Sequence, residues 1–292
     1  MAKVMKKVLI LSYHYPPQDI IAAYRGKAFA DHLPAFGYRP TILTHHWEDP
    51  DHREIEYFEE EFRTIIRLPL PDPREKVSRK SGLRRKAAIL KAWVNGLLEP
   101  DLKGNYRIFK DFLFHHLKEK SYDLLIGIYS PHFALKLCYE AHRAFGPPYV
   151  LDFRDLWANR VVKKGYRPNW RMAMDDSFTT RLWRKWLKKA AFFSITSHPW
   201  CEEVQRSVID KPGVVVRNGF EEELFQERVR PSSPFQILHA GTLYKHQKIS
   251  LFLEGLSGFL EERPDADLQV HFIGAQPGSS KGFFNGYRKA SC

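Results

Sequence analysis

The stretch PYVLDFRDLW, residues 148–157, places two acids and an arginine directly after a short apolar run. Tyr149-Val150-Leu151 reads as a buried parallel strand, which is apolar throughout instead of alternating. In open α/β sheets the ligand crevice lies just beyond the carboxyl ends of such strands. Asp152, Arg154 and Asp155 are poor packing residues there and good site residues, since a carboxylate so placed can exchange protons or hold hydroxyls. The same three residues also fit a structural ion pair, Arg154 with Asp152 or Asp155, that only orders a loop.

Other candidates share this placement at the end of a strand. His132 follows the apolar run DLLIGIY (123–129), beside Ser130 and Pro131, though one of thirteen histidines can equally be structural or exposed. Arg25 lies early in the helix that follows the first strand, where a helix N-terminus helps an arginine to meet an anion; the alternative is a solvated surface arginine. In HAGTLYKHQK (239–248) Gly241 ends a strand, with Thr242, Lys245 and Lys248 beyond it. Glycine lets backbone N–H groups approach a diphosphate, and lysines can neutralise it or simply form a solvated turn. No GxGxxG, Walker lysine motif, GxSxG elbow or serine triad occurs. No metal site is read: His45-His46 and His115-His116 are adjacent pairs without a matching carboxylate or cysteine pattern.

The elements that must position these residues form a β-α-β series, and this predicts right-handed crossovers and a parallel sheet. KVLILSY (7–13) reads as the first strand, and 22–36 as a helix with Phe29, Leu33 and Phe36 on one side, distorted late by Pro34 and closed by Gly37. RPTILT (39–44) and TIIRLPL (64–70) read as strands, with an acidic helical stretch between them. A helix at 105–119, the strand DLLIGIY and a helix from Pro131 to Phe145 follow, with Phe133, Leu137 and Ala141 at four-residue spacing. After the strand at 149 come the helix 179–193, the strand FFSIT, the helix HPWCEEVQRSV and the strand and turn GVVVRNGF (213–220). The fold class is α/β: one complete doubly wound, Rossmann-like domain over 1–225 and a Pro- and Ser-bearing linker over 226–234. FQILHAG, the helix 249–260 and LQVHFIG then start a second Rossmann-like domain over 235–292, which looks cut short.

With 292 residues, 43% hydrophobic and 14% aromatic, the chain has ample core, and it has no apolar run long enough to span a bilayer. Its basic N-terminus lacks a signal peptide's cleavage pattern, and its three cysteines are far apart; both suit a reducing, cytoplasmic setting. A net charge of +12 calls for an anionic partner: nucleic acid, an anionic membrane or a phosphorylated substrate. The basic segments 79–98 and 181–189 interleave Trp93, Trp183 and Trp186 with lysine and arginine. That pattern fits peripheral docking on anionic lipid at the inner membrane face, and equally a solvated face with its tryptophans in the core. No nucleic-acid motif accompanies the charge, so nucleic acid is the weaker partner.

Taken together, KVLILSYHYPP, HLPAFGYRPTILT, PYVLDFRDLW, SITSHPWCEEVQ, VVVRNGFEEELF and ILHAGTLYKHQ…VHFIG resemble, in order, glycosyltransferases of the GT-B fold, specifically the large retaining family 4. The resemblance favours a site at 148–157. It implies two Rossmann-like domains, acceptor bound by the first and nucleotide-diphosphate sugar by the second, with retention and without a required metal or other cofactor. Gly241, Thr242, Lys245 and Lys248 would then serve the diphosphate. His132, Asp152 and Asp155 would line the cleft as catalytic groups, with Arg25, Arg154 and Asn218 near the acceptor; the mechanism would be electrostatic stabilisation of the leaving diphosphate. Three departures stand against the family pattern: Gln18-Asp19-Ile20-Ile21-Ala22 replaces a glycine pair, Thr242 replaces an arginine, and the paired-glutamate motif would lie beyond Cys292. A catalytically inactive relative that binds an acceptor or a membrane is the alternative.

Overall fold

The computed structural model describes residues 5–47, 52–69, 105–156, 170–220, 234–241, 243 and 248–273. The chain divides into two compact units, Met1–Gly219 and Phe220–Cys292. Of the expected linker over 226–234, residues 226–233 lie outside the described residues, as does the basic segment 79–98.

The first unit is built on an eight-stranded sheet. Its strands are β1 (Lys6–Leu11), β2 (Tyr38–His45), β3 (Glu56–Glu59), β4 (Thr64–Leu68), β5 (Leu124–Tyr129), β6 (Tyr149–Phe153), β7 (Phe193–Ile195) and β8 (Gly213–Val215), in the spatial order β3-β4-β2-β1-β5-β6-β7-β8. All neighbours pair in parallel except β3, which runs antiparallel to β4. The order reverses between β1 and β5. That is the topological switch point of a doubly wound sheet, beside which such folds open their ligand crevice.

The described residues of this unit form the helices α1 (Ile21–His32), α2 (Asn105–Glu119), α3 (His132–Phe145), α4 (Trp170–Lys189) and α5 (His198–Ser207). The sheet is covered on both faces, which explains its unbroken apolar strands. On one face Leu9, Leu11, Leu43, Leu125, Leu151 and Phe153 join Phe109, Phe133, Leu137, Trp183 and Trp186 in the main core. On the other, Val8, Ile10, Ile126 and Ile128 pack against Phe29 and Leu33. Within α3, Phe133, Leu137 and Ala141 are all fully buried, as their spacing predicts. Gly127 lets this helix approach β5, because a Cβ there would lie 2.8 Å from the Ala134 carbonyl oxygen and 2.9 Å from Cys138 Sγ.

Two expectations need correction. The helix predicted over 22–36 ends at His32; Leu33–Phe36 tightens into a 3-10 turn with Pro34 near its start, and Phe36 is 75% exposed. The acidic stretch before β4 is not helical: Glu56–Glu59 forms the antiparallel edge strand β3. An edge tolerates charged side chains because one side of the strand faces water. Here Glu56 pairs in register with Arg67, and the Arg67 guanidinium lies 4.8 Å from the centre of the Phe58 ring.

In the second unit, β9 (Phe235–Ala240) and β10 (Leu268–Ile273) pair in parallel across the helix α6 (Ile249–Glu262). Leu243 and Leu253 are buried, while Phe235, Leu238 and Ile273 are 60% or more exposed. Among the described residues no helix is long and apolar enough to cross a membrane.

Candidate functional site

At the carboxyl end of β6 the charged residues fall into two groups. Asp152 is still inside the strand and has no exposed surface. Arg25 grips it with both ends of its fork, Nε–H donating to Oδ2 at 2.6 Å and Nη2–H to Oδ1 at 2.7 Å. Ser194 in β7 donates to the same Oδ1 at 2.5 Å. The Arg25 Nη1 group donates to the Val216 carbonyl and to Asn218 Oδ1, each at 3.0 Å. One arginine of α1 thus ties together β6, β7 and the chain beyond β8. The arrangement is charge-assisted, bidentate and buried, the combination that makes such hydrogen bonds strong.

This geometry corrects two expectations and selects between two alternatives. Asp152 is not an accessible catalytic group, because its oxygens are occupied and shielded. Arg25 is neither solvated nor facing a ligand; it is 6% exposed and committed to protein partners. The ion pair considered for Arg154 is with Asp155, Nε to Oδ2 at 2.9 Å, and not with Asp152. Asn218 joins the clamp through its Oδ1, although the residue itself is exposed.

The second group faces outward. Asp155 has a side chain 45% exposed, and its loop is anchored where Thr196 Oγ1 donates to the Arg154 carbonyl at 2.9 Å. His132 is the first residue of α3, and its Nδ1 accepts a hydrogen bond from Trp183 Nε1 at 3.0 Å. Nδ1 therefore carries no proton, and in the neutral ring Nε2 does. Desolvation pushes its pKa down to about 4, so the ring is neutral near pH 7. His132 is a hydrogen-bond donor through Nε2–H and not a cation. Tyr129, 4.9 Å away between ring centres, has its phenol pushed well up by burial and by the Asp155 carboxylate.

Beside these residues, at the ends of β1 and β2, stands an aromatic wall that sequence reasoning did not single out. Tyr13 meets His45, Trp47 and Phe133 at 4.3, 5.3 and 5.6 Å between ring centres, and His14 stacks on Trp47 at 5.4 Å. Asn105, the first residue of α2, donates from Nδ2 to Tyr13 Oη at 2.8 Å, while its buried Oδ1 has no partner among the described residues. The loop is braced by Ser12 Oγ donating to the His14 carbonyl at 2.7 Å and by Thr44 Oγ1 donating to the Tyr13 carbonyl at 3.1 Å. The available signal was positional: YHY and HHW each follow a buried parallel strand directly.

In the second unit Gly241 ends β9 with φ of 132°, a conformation that favours glycine, and its N–H donates to the Ile273 carbonyl at 2.8 Å. That N–H is held in the sheet, which narrows the expected diphosphate cradle to the groups that follow. Lys248 is exposed at the start of α6; Thr242 and Lys245 lie outside the described residues. Of the two readings of the basic helix 181–189, the structure takes the one with its tryptophans in the core: Trp183 and Trp186 are 0% and 2% exposed. Its basic residues are solvated, and Arg184 donates to the Val208 and Ser207 carbonyls at the end of α5.

Comparison with known proteins follows this geometry. The profile of the glycosyl transferase 4-like domain matches residues 25–219. The chain belongs to this family. No curated protein matches its sequence. Among solved structures, an α,α-trehalose-phosphate synthase (UDP-forming) from Burkholderia vietnamiensis is 8% identical with a TM-score of 0.55, over 96% of this chain and 67% of that one. Its counterpart from Burkholderia xenovorans, in complex with glucose-6-phosphate, is 10% identical with a TM-score of 0.54, over 95% of this chain and 68% of that one. At these identities the likeness speaks for the fold, which is that of the GT-B glycosyltransferases; the chain spans about two thirds of the length of these structures. Within the unit that carries this domain, the Arg25–Asp152 clamp links α1 to the end of β6.

Proposed function

We propose that this chain transfers a sugar, with retention, from a nucleotide-diphosphate sugar to a glycan or lipid-linked acceptor. The observation that carries this reading is the gathering of a neutral His132, a half-exposed Asp155 and an aromatic wall at the carboxyl ends of the strands, beside the switch point of a glycosyl transferase 4-like domain. Each suits sugar chemistry. The half-buried rings of His14 and Trp47, backed by the buried Tyr13, can meet the apolar side of a sugar ring, and Asp155 can accept from hydroxyls. His132 can donate from Nε2–H without bringing a positive charge that a cationic transition state would oppose. Lys245 and Lys248, with Gly241 and Thr242 before them, would neutralise the leaving diphosphate, so that charge stabilisation in this reading needs no metal.

The test is a panel of nucleotide sugars and glycan or lipid-linked acceptors, read by mass spectrometry, with the product anomer assigned by NMR. Asp155→Ala should lower turnover at least about 100-fold while unfolding stability changes by less than about 1 kcal/mol, since the carboxylate is half exposed. Equal losses in activity and stability would make Asp155 a structural residue. Failure of every donor, with acceptor binding retained, would favour a binding module instead.

A peripheral position on the cytoplasmic face of a membrane also belongs to this proposal, through the basic segment 79–98. Reversing Arg84, Arg85 and Lys86 to glutamate should abolish co-sedimentation with anionic vesicles. Undiminished sedimentation would remove that part of the reading.

A further inference from the structure

Outside the crevice, the crossing from β2 to β3 brings together three side chains far apart in type and unremarkable in spacing. His46 directly follows β2, Glu56 opens β3, and His52 lies between them in sequence. His46 Nε2 is 3.2 Å from Glu56 Oε2, and His52 Nε2 is 3.5 Å from Glu56 Oε1. The two imidazole rings are 3.9 Å apart between centres and tilted by 35°, and one donor atom from each residue falls within 4.8 Å of the other two. His52 Nε2 is buried and has no hydrogen-bond partner among the described residues. The three side chains are 10%, 23% and 35% exposed, so the cluster sits at the surface with access for a small solute.

The Nε2 atoms of two imidazoles converge on one carboxylate, so that a single cation between them can be reached by all three side chains. In a tetrahedral site with metal–ligand bonds of about 2.0–2.2 Å, neighbouring ligand atoms are about 3.3–3.6 Å apart; each imidazole Nε2 lies near that distance from one oxygen of the Glu56 carboxylate, His46 at 3.2 Å from Oε2 and His52 at 3.5 Å from Oε1. Two imidazoles and one carboxylate suit zinc and similar transition metals, while magnesium and calcium prefer all-oxygen shells.

We propose that His46, His52 and Glu56 bind one divalent transition-metal ion of the zinc class, with solvent completing the shell. The ion staples the edge strand β3 to the end of β2. Because His46 stands between His45 and Trp47, the staple also steadies the base of the aromatic wall. This role is independent of the transfer reaction proposed above, and it can be tested without activity.

The experiment uses the full chain, stripped with a chelator and titrated with zinc against a chromophoric competitor, and with cobalt to read the coordination geometry by its visible spectrum. The expected result is one zinc per chain and the absorption of a four-coordinate cobalt site. His52→Gln and Glu56→Gln, each checked for folding by circular dichroism, should weaken zinc binding by about 100-fold or more. His115→Gln, an exposed histidine elsewhere, should leave it unchanged. Absence of stoichiometric zinc binding by the parent chain would overturn the proposal, as would binding that survives both conservative substitutions.

Discussion

Replacing Asp152 by asparagine tests the reading of the Arg25 clamp more sharply than any change in the exposed crevice. The carboxylate has no exposed surface and takes two guanidinium bonds of 2.6 and 2.7 Å together with the Ser194 hydroxyl. The asparagine is nearly isosteric and its Oδ1 can still accept from Ser194 and Arg25 Nη2, while the change removes the charge and sets an NH2 donor against Arg25 Nε–H. It leaves Arg25 as a buried cation whose remaining partners are the neutral Val216 carbonyl and Asn218 amide. Breaking a buried pair from one side costs about 3–5 kcal/mol. For a unit of this size that corresponds to a fall of about 6–20 °C in Tm. Urea unfolding followed by tryptophan fluorescence is the assay, since all seven tryptophans precede Gly219 and report on the first unit. Removing both partners, as Arg25→Met with Asp152→Asn, should recover part of the loss and give a coupling energy of at least about 2 kcal/mol. A single-variant cost below about 1 kcal/mol, or strict additivity in the cycle, would refute the clamp as the frame of this unit.

Two further perturbations follow from the same geometry. His132 has a folded pKa of about 4 against about 6.5 when unfolded, so the unfolded chain binds more protons below pH 6.5 and stability falls as pH drops toward 4. Between pH 7 and pH 5 this contributes a loss of about 2 kcal/mol, which His132→Gln should remove because glutamine can still accept from Trp183; denaturant midpoints at the two pH values measure it, and identical slopes would refute it. Gly127→Ala drives a Cβ to 2.8 Å from the Ala134 carbonyl oxygen, a backbone atom that cannot swing aside, and should cost about 1–3 kcal/mol of unfolding free energy; a neutral outcome would mean that α3 does not pack so closely on β5.

Much of the architecture was legible because parallel strands and their covering helices announce themselves locally. VLIL, LLIGI and YVL are apolar without alternation, and Phe133, Leu137 and Ala141 recur at helical spacing; both patterns depend only on near neighbours. The failures came where the deciding partner is remote. Glu56–Glu59 looks helical from its charges, and only pairing with Thr64–Arg67 makes it a strand. Arg25 looks solvated because the carboxylate that buries it lies 127 residues away. His46, His52 and Glu56 match no spacing rule, since a strand end, a connecting segment and an antiparallel edge supply one residue each.

The same distinction decides which charged residues at the switch point are free to do chemistry. A carboxylate offers about four acceptor sites. Asp152 already receives three hydrogen bonds and sees no solvent, so it has almost nothing left with which to meet a substrate. Asp155 receives the Arg154 Nε–H and keeps a half-exposed surface. His132 has committed Nδ1 to Trp183, which leaves Nε2–H with a fixed tautomer and a neutral charge. Residual hydrogen-bonding capacity, and not charge or position beside a strand end, therefore separates frame from site. In PYVLDFRDLW the first acid is frame, and the second, three residues later, is the one available to a ligand.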